Sequence, residues 1–247
     1  VYEGTSVSMQ YDEKFLYFLI EKENFHPESD TLYLPIDTTQ KTGSTYCLQY
    51  DLSFERACDF LLVIDGEDNS RLLVQERYEV WRAMFLHETD DLDPYMETVD
   101  ADTPVFKTIS LLLQTATPLL TGNWQASAET YETGKLLYGN ANPEDESFNS
   151  LADFIFTEDA VEVRLPWQLL NFSNPSEMQI HDDYYEHYGV ENLSIDRMYV
   201  GVCSGAHTEW RIPLGEFALQ GWGRDVTSHE RLKESYYILQ DYWAGAA

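Results

Sequence analysis

The chain is written in strand-length phrases. DFLLVIDG runs apolar from Phe60 to Ile64 and stops at the turn pair Asp65-Gly66, and RLLVQ and YEVWRAMF follow at hairpin distance. Apolar runs of about four to eight residues, rich in branched and aromatic side chains and bounded by turn residues, are strands; a helix needs a longer period. In YDEKFLYFLIEKENF, Phe15, Tyr17 and Leu19 share one side of a period-2 pattern and Leu16, Phe18 and Ile20 the other. Both faces are apolar, so this segment is expected to be an inner strand. TLYLPIDTT is another short strand, and a turn at Gly43 leads into STYCLQYDL. PVFKTISLLLQTAT lies between Pro104 and Pro118, and DFIFTEDAVEVRLPW reads as two strands around Thr157 to Ala160.

The expected fold is an all-β, antiparallel β-sandwich of jelly-roll or immunoglobulin-like appearance, forming one domain over residues 1–247. Lengths of this order are ordinary for single sandwiches. Short helical insertions interrupt it, within a long excursion over 173–196. At the end, Thr227 and Glu230 have the spacing of a capping box, with Leu232, Tyr236, Leu239 and Trp243 at helical positions beyond them. An amphipathic C-terminal helix is expected there, packed across a sheet or its edge.

The strand VEVRLPW alternates cleanly. Val161, Val163 and Leu165 face one way and Glu162 and Arg164 the other, until Pro166 ends the ladder for want of an N–H. TEWRIPLGEF repeats the pattern of Glu, any residue, Arg, aliphatic, Pro. A glycosidase would need two carboxylates at a set separation. Alternating burial and a same-face ion pair account for Glu162 and Arg164 without chemistry, each engaging a structural partner, so no catalytic residue is assigned and the chain is not expected to be an enzyme.

Charge narrows the partners. With 15 basic and 44 acidic residues the formal net charge is −29. Such a surface repels phosphate backbones and anionic lipid heads, so nucleic acid is not an expected partner. No apolar run reaches the roughly 20 residues of a membrane span, and the chain opens at VYEGTSVSMQ without Met, as a piece of a longer protein would. Cys47, Cys58 and Cys203 are isolated and lack metal-ligand spacing. Trp81, Trp124, Trp167 and Trp210 recur every 43 residues, yet their flanks share nothing, so no repeat architecture follows.

Sugar-binding surfaces lay aromatic faces on the C–H side of a pyranose and hold its hydroxyls with acids and amides. Aromatics stranded in polar loops are therefore the candidate ligand-binding residues: Trp124 in TGNWQAS and Trp222 in QGWGRD, with Tyr131 and Tyr138 near the former. A second aromatic group, Tyr184, Tyr185 and Tyr188 beside His181 and His187, lacks the helical pair spacing of a zinc site. No cofactor is expected; structural calcium in DGEDNS or HETDDLD is the one candidate ion. Cys203 and Ser204 lack the setting of a nucleophile.

These motifs carry a resemblance. DEKFLYFLI, LYLPIDTT and VEVRLPW resemble, in that order, the strands of the β-sandwich group containing family 9 carbohydrate-binding modules and DOMON-type domains, and the match reaches Asp12, Glu13, Ile36, Asp37, Glu162, Pro166 and Trp167. The ending HERLKESYYILQDYW is similar to a poorly characterised bacterial domain C-terminal to some cell-envelope proteins, including family 2 glycosyl transferases. The resemblance implies a non-catalytic carbohydrate-binding accessory domain of a bacterial surface or secreted protein. Its expected partners are polysaccharide or oligosaccharide and the other domains of a parent protein. A structural or protein-interaction domain of the cell envelope is the alternative, and an enzyme acting on polysaccharide ranks behind both.

Overall fold

The computed structural model describes residues 4–80, 99–114, 117–118, 125–126, 129–187, 191–205, 210–223 and 234–245. The strands run, in chain order, β1 (Thr5–Tyr11), β2 (Phe15–Lys22), β3 (Leu32–Asp37), β4 (Ser44–Cys47), β5 (Leu52–Cys58), β6 (Phe60–Ile64) and β7 (Arg71–Gln75). There follow β8 (Phe106–Thr108), β9 (Ser110–Gln114), β10 (Thr117–Pro118), β11 (Gln125–Ala126), β12 (Glu129–Glu132), β13 (Phe154–Phe156) and β14 (Ala160–Pro166). The last are β15 (Phe172–Asn174), β16 (Gln179–His181), β17 (Asn192–Ser194), β18 (Arg197–Gly201), β19 (Cys203–Ser204), β20 (Arg211–Ile212) and β21 (Leu214–Ala218). The chain is all-β, as its phrasing predicts.

Three sheets stack. The first has the order β1-β2-β14-β13 and is antiparallel throughout. The central sheet has the order β21-β18-β3-β6-β7-β8, and the third, β20-β5-β4, lies on its far side. Leu16, Phe18 and Ile20 from β2 and Val161, Val163 and Leu165 from β14 meet Leu34, Ile36, Phe60, Leu62, Ile64, Leu72 and Val74 of the central sheet in one core. The alternate residues of the central strands, Tyr33, Leu61, Val63 and Leu73, meet Cys47, Leu52, Phe54, Cys58 and Ile212 in a second. β3 and β6 are therefore buried at every position, because apolar side chains on both faces of a strand demand a layer on each side.

The three cysteines are free and buried. The β4–β5 register sets Cys58 opposite Ser44 and Cys47 opposite Leu52, so Cys47 and Cys58 are not cross-strand partners.

One buried carboxylate organises the turn beyond β3. Asp59, between β5 and β6, is fully buried. Its Oδ2 accepts from the Thr38 N–H at 2.8 Å, the Thr39 N–H at 2.9 Å and the Thr38 hydroxyl at 3.0 Å, while Oδ1 accepts from the Thr42 hydroxyl at 2.7 Å. Burial, and next the nearby Asp37 charge, push its carboxyl from an ordinary 3.8 up to about 7 against those hydrogen bonds.

The excursion over 173–196 forms a small sheet, β15-β16-β17, with a helical turn at Tyr184–His187. It is fastened to the body by ion pairs. Arg77 Nη2 reaches Asp183 at 2.6 Å, Arg77 Nη1 donates to the Val99 carbonyl at 2.6 Å, and Lys41 Nζ stands 2.6 Å from Asp182. The C-terminal helix is present as Glu234–Gly245. Its packing differs from the expectation: Tyr236, Tyr237, Ile238, Leu239, Tyr242 and Trp243 are all exposed. Large apolar residues occur all around it, so no single stripe directs it onto a sheet. Among the described residues no helix is long and apolar enough to cross a membrane.

Candidate functional site

The first sheet has one covered face and one open face. Toward the core, Leu16, Phe18 and Ile20 are buried; on the other side Tyr17 is 36% exposed and Leu19 38%. The strand expected to be inner is thus inner in its sheet, between β1 and β14, and uncovered on one side. Two large apolar side chains at the centre of an open sheet face require explanation, since such positions ordinarily carry polar residues.

Register builds polar rows across them. Leu19 lies between Ser8 of β1 and Glu162 of β14, and Glu162 is opposite Ile155 of β13. Tyr17 lies between Gln10 and Arg164, and the Arg164 N–H continues the ladder to the Asp153 carbonyl at 2.7 Å. Because same-face neighbours repeat every second residue, the outer face presents Ser8, Gln10, Tyr17, Leu19, Glu162 and Arg164 together.

A wall turns this face into a cleft of about 480 Å³. Residues 139 to 142 bound it beyond β13, where the Gly139 N–H donates to the Phe154 carbonyl at 2.9 Å. A Cβ on Gly139 would meet the Ala152 Cβ at 3.1 Å, so this close approach favours glycine. Asn140 Oδ1 accepts from the Asn142 N–H at 2.9 Å and Asn142 Oδ1 from the Glu144 N–H at 3.0 Å, two successive side-chain turns that hold the wall in shape. Asp153 Oδ2 accepts from the Leu137 N–H at 2.8 Å. Burial pushes the Asp153 carboxyl up against that hydrogen bond and the Arg164 charge.

The floor is anchored by the VEVRLPW segment. Trp167 is buried and donates from Nε1 to the Asp12 carbonyl at 3.0 Å, tying the end of β14 to the β1–β2 turn. Asp12 Oδ1 accepts from the N–H groups of Lys14 at 2.7 Å and Phe15 at 2.8 Å, and Oδ2 accepts the Tyr17 hydroxyl at 2.8 Å. That last bond fixes the Tyr17 ring in the cleft.

Glu162 and Arg164 share the outer face as predicted, but only one has the expected partner. Arg164 donates to the Ala152 carbonyl at 2.7 Å and the Ser150 carbonyl at 2.8 Å, and its guanidinium lies 4.8 Å from the Phe15 ring centre. Glu162 is exposed and has no hydrogen bond or ion pair among the described residues. The expectation of a structural partner for both holds for the arginine alone.

The residues singled out as loop aromatics fall in separate places. Trp124 lies outside the described residues. Trp222 is half-buried, its ring centre 6.0 Å from Trp167. Tyr131, 62% exposed, is on β12 opposite Leu111. Tyr138 is half-buried against Phe154 and Phe156, at 5.5 and 5.3 Å, immediately before the cleft wall. Tyr184 and Tyr185 belong to the segment held by Arg77, whose guanidinium stands 4.8 Å from the Tyr185 ring centre; Tyr188 lies outside the described residues. In the DGEDNS segment, residues Gly66–Asn69 form a helical turn, and among the described residues no group of three or more His, Cys, Asp or Glu is placed to hold a metal. HETDDLD lies outside the described residues.

The cleft is lined by Tyr17, Leu19, Ser8, Gln10, Asn140 and Asn142, none of which stands out as a loop aromatic in the sequence. The available signal was the second apolar face of FLYFLI, which calls equally for another layer or for a ligand. No protein-family model, no curated protein and no solved structure matches the chain.

Proposed function

We propose that this chain is a non-catalytic carbohydrate-binding module whose ligand lies on the outer face of the β1-β2-β14-β13 sheet, and that it serves a surface or secreted protein. The observation that carries the reading is the exposed pair Tyr17 and Leu19 at the centre of that face, framed by Ser8, Gln10, Asn142 and Glu162. An apolar centre with a polar rim suits a pyranose, whose C–H face is apolar and whose edge is a ring of hydroxyls.

Side-chain availability supports this reading. No hydrogen bond engages the side chains of Ser8 or Gln10 among the described residues, and Asn142 uses only its carbonyl oxygen in the wall. Ser8 and Gln10 have their backbones fixed on β1, so only their side-chain rotamers are ordered on binding. Asp153 fastens the wall through the Leu137 N–H and is assigned no proton-transfer role.

Calorimetric titration with neutral oligosaccharides of glucose, xylose and mannose tests the proposal. One of them is expected to bind, with Tyr17→Ala weakening it by roughly tenfold, about 1.4 kcal/mol of stacking and burial. No binding by any glycan, or undiminished binding by the variant, contradicts the site. Release of reducing ends during incubation contradicts the non-catalytic assignment.

A further inference from the structure

Building on that carbohydrate reading, we propose that the preferred ligand is a glycan bearing protonated amines, a chain of 2-amino-2-deoxyhexose units, with one ammonium held by the Glu162 carboxylate.

β14 carries one cation and one anion onto the cleft floor, and only the cation is engaged by the protein. The Arg164 guanidinium faces the Ala152 and Ser150 carbonyls and the Phe15 ring. Among the described residues no other Lys or Arg lines the cleft. Glu162 sits in a row between Leu19 and Ile155, so neither lateral neighbour offers it a hydrogen bond. The Asp153 carboxyl adds a second acceptor, its Oδ1 free of any hydrogen bond among the described residues.

Each ligand class meets this arrangement differently. A uronate or phosphorylated glycan is repelled by the Glu162 carboxylate and by the acidic body of the chain. A neutral sugar covering Leu19 strips water from one side of Glu162 and returns only hydroxyl hydrogen bonds. A hydroxyl and an ammonium both hydrogen-bond to the carboxylate, but only the ammonium brings the opposite charge, whose Coulomb attraction adds to that bond as the ligand displaces water from the cleft. The Glu-x-Arg pattern then has divided roles, with Arg164 holding the wall and Glu162 reading the ligand.

Calorimetry with four tetramers tests this: glucosamine, N-acetylglucosamine, glucose and galacturonate, at a mildly acidic pH that keeps the amine protonated. Tetralysine serves as a control for attraction of any polycation. The glucosamine tetramer is expected to bind roughly tenfold tighter than the glucose and N-acetylglucosamine tetramers, galacturonate not to bind, and Tyr17→Ala to weaken glucosamine but not tetralysine. In Glu162→Gln the ratio of glucosamine to glucose affinities falls to near one. Equal affinities in the wild type, a preference that survives Glu162→Gln, or tetralysine binding as tightly as glucosamine overturns the amine assignment while leaving the carbohydrate reading in place. Failure of every tetramer to bind overturns both.

Discussion

β6 and β2 look alike in sequence, and the structure treats them differently. Phe60–Ile64 and Phe15–Lys22 are both apolar on two faces. β6 lies in the middle layer, with the first sheet on one side and β4, β5 and β20 on the other, and all of its side chains are buried. β2 has the same central sheet on one side and, among the described residues, no sheet on the other, leaving Tyr17 and Leu19 partly exposed. A second apolar face thus has two physical meanings. Where a further layer covers it, it is core; where polar rows and a wall frame it, it is left open, and the proposed ligand is what would cover it.

The largest effects should separate the two strands by stability. Leu62→Ala, in the first core, and Leu61→Ala, in the second, should each lower unfolding free energy by about 2–5 kcal/mol in urea titrations. Leu19→Ala should change it by no more than about 0.5 kcal/mol. A cost for Leu19→Ala matching that of Leu61→Ala would mean that β2 has an unseen covering layer and would remove the comparison.

An effect of a few kcal/mol is expected from Asp59, at the junction of β5 and β6. Its carboxyl is raised from 3.8 to about 7, chiefly by burial. Between those values the folded chain keeps a proton that the unfolded chain has released, so this contribution is full below about pH 4 and declines as pH rises toward 7. Asp59→Asn keeps an acceptor for Thr38 and Thr39 and can donate to the Thr42 hydroxyl oxygen. The difference between the wild-type and variant stability curves should change across that window and flatten above it. A constant difference from pH 4 to pH 7 contradicts the assignment.

Smaller again is the cost of separating the two charges of β14. Arg164→Ala should destabilise by about 1–2 kcal/mol, because the buried Ala152 carbonyl loses its donor. Glu162→Gln should leave stability within about 0.5 kcal/mol, as expected for an exposed group with no partner. Equal losses would place Glu162 in the framework and take it out of the cleft's chemistry.

Much of the fold is legible from local pattern. β6 and β7 fall where apolar runs and turn residues place them, and the turn over 157–159 does separate β13 from β14, with Ala160 already the first residue of β14. The third layer is not legible, because β20 is two residues long and pairs in parallel with β5 across some 150 residues of sequence. Such pairing leaves no local periodicity to read. The C-terminal helix is legible as a helix, and its exposure is not, since period says nothing of what is available to cover a face. The cleft suffers the same limit. Tyr17 and Leu19 stand out only once β13 and the wall at 139 to 142 are known to leave them open, while Trp222, conspicuous in its polar loop, proves to lean on Trp167.

Amide chemical-shift mapping with a bound oligosaccharide tests the central claim most directly. The largest perturbations are predicted at Tyr17, Leu19, Glu162 and Asn142, on three segments joined only by the sheet face. Perturbations centred instead on Trp222 and Tyr131, with β2 and β14 silent, would contradict it.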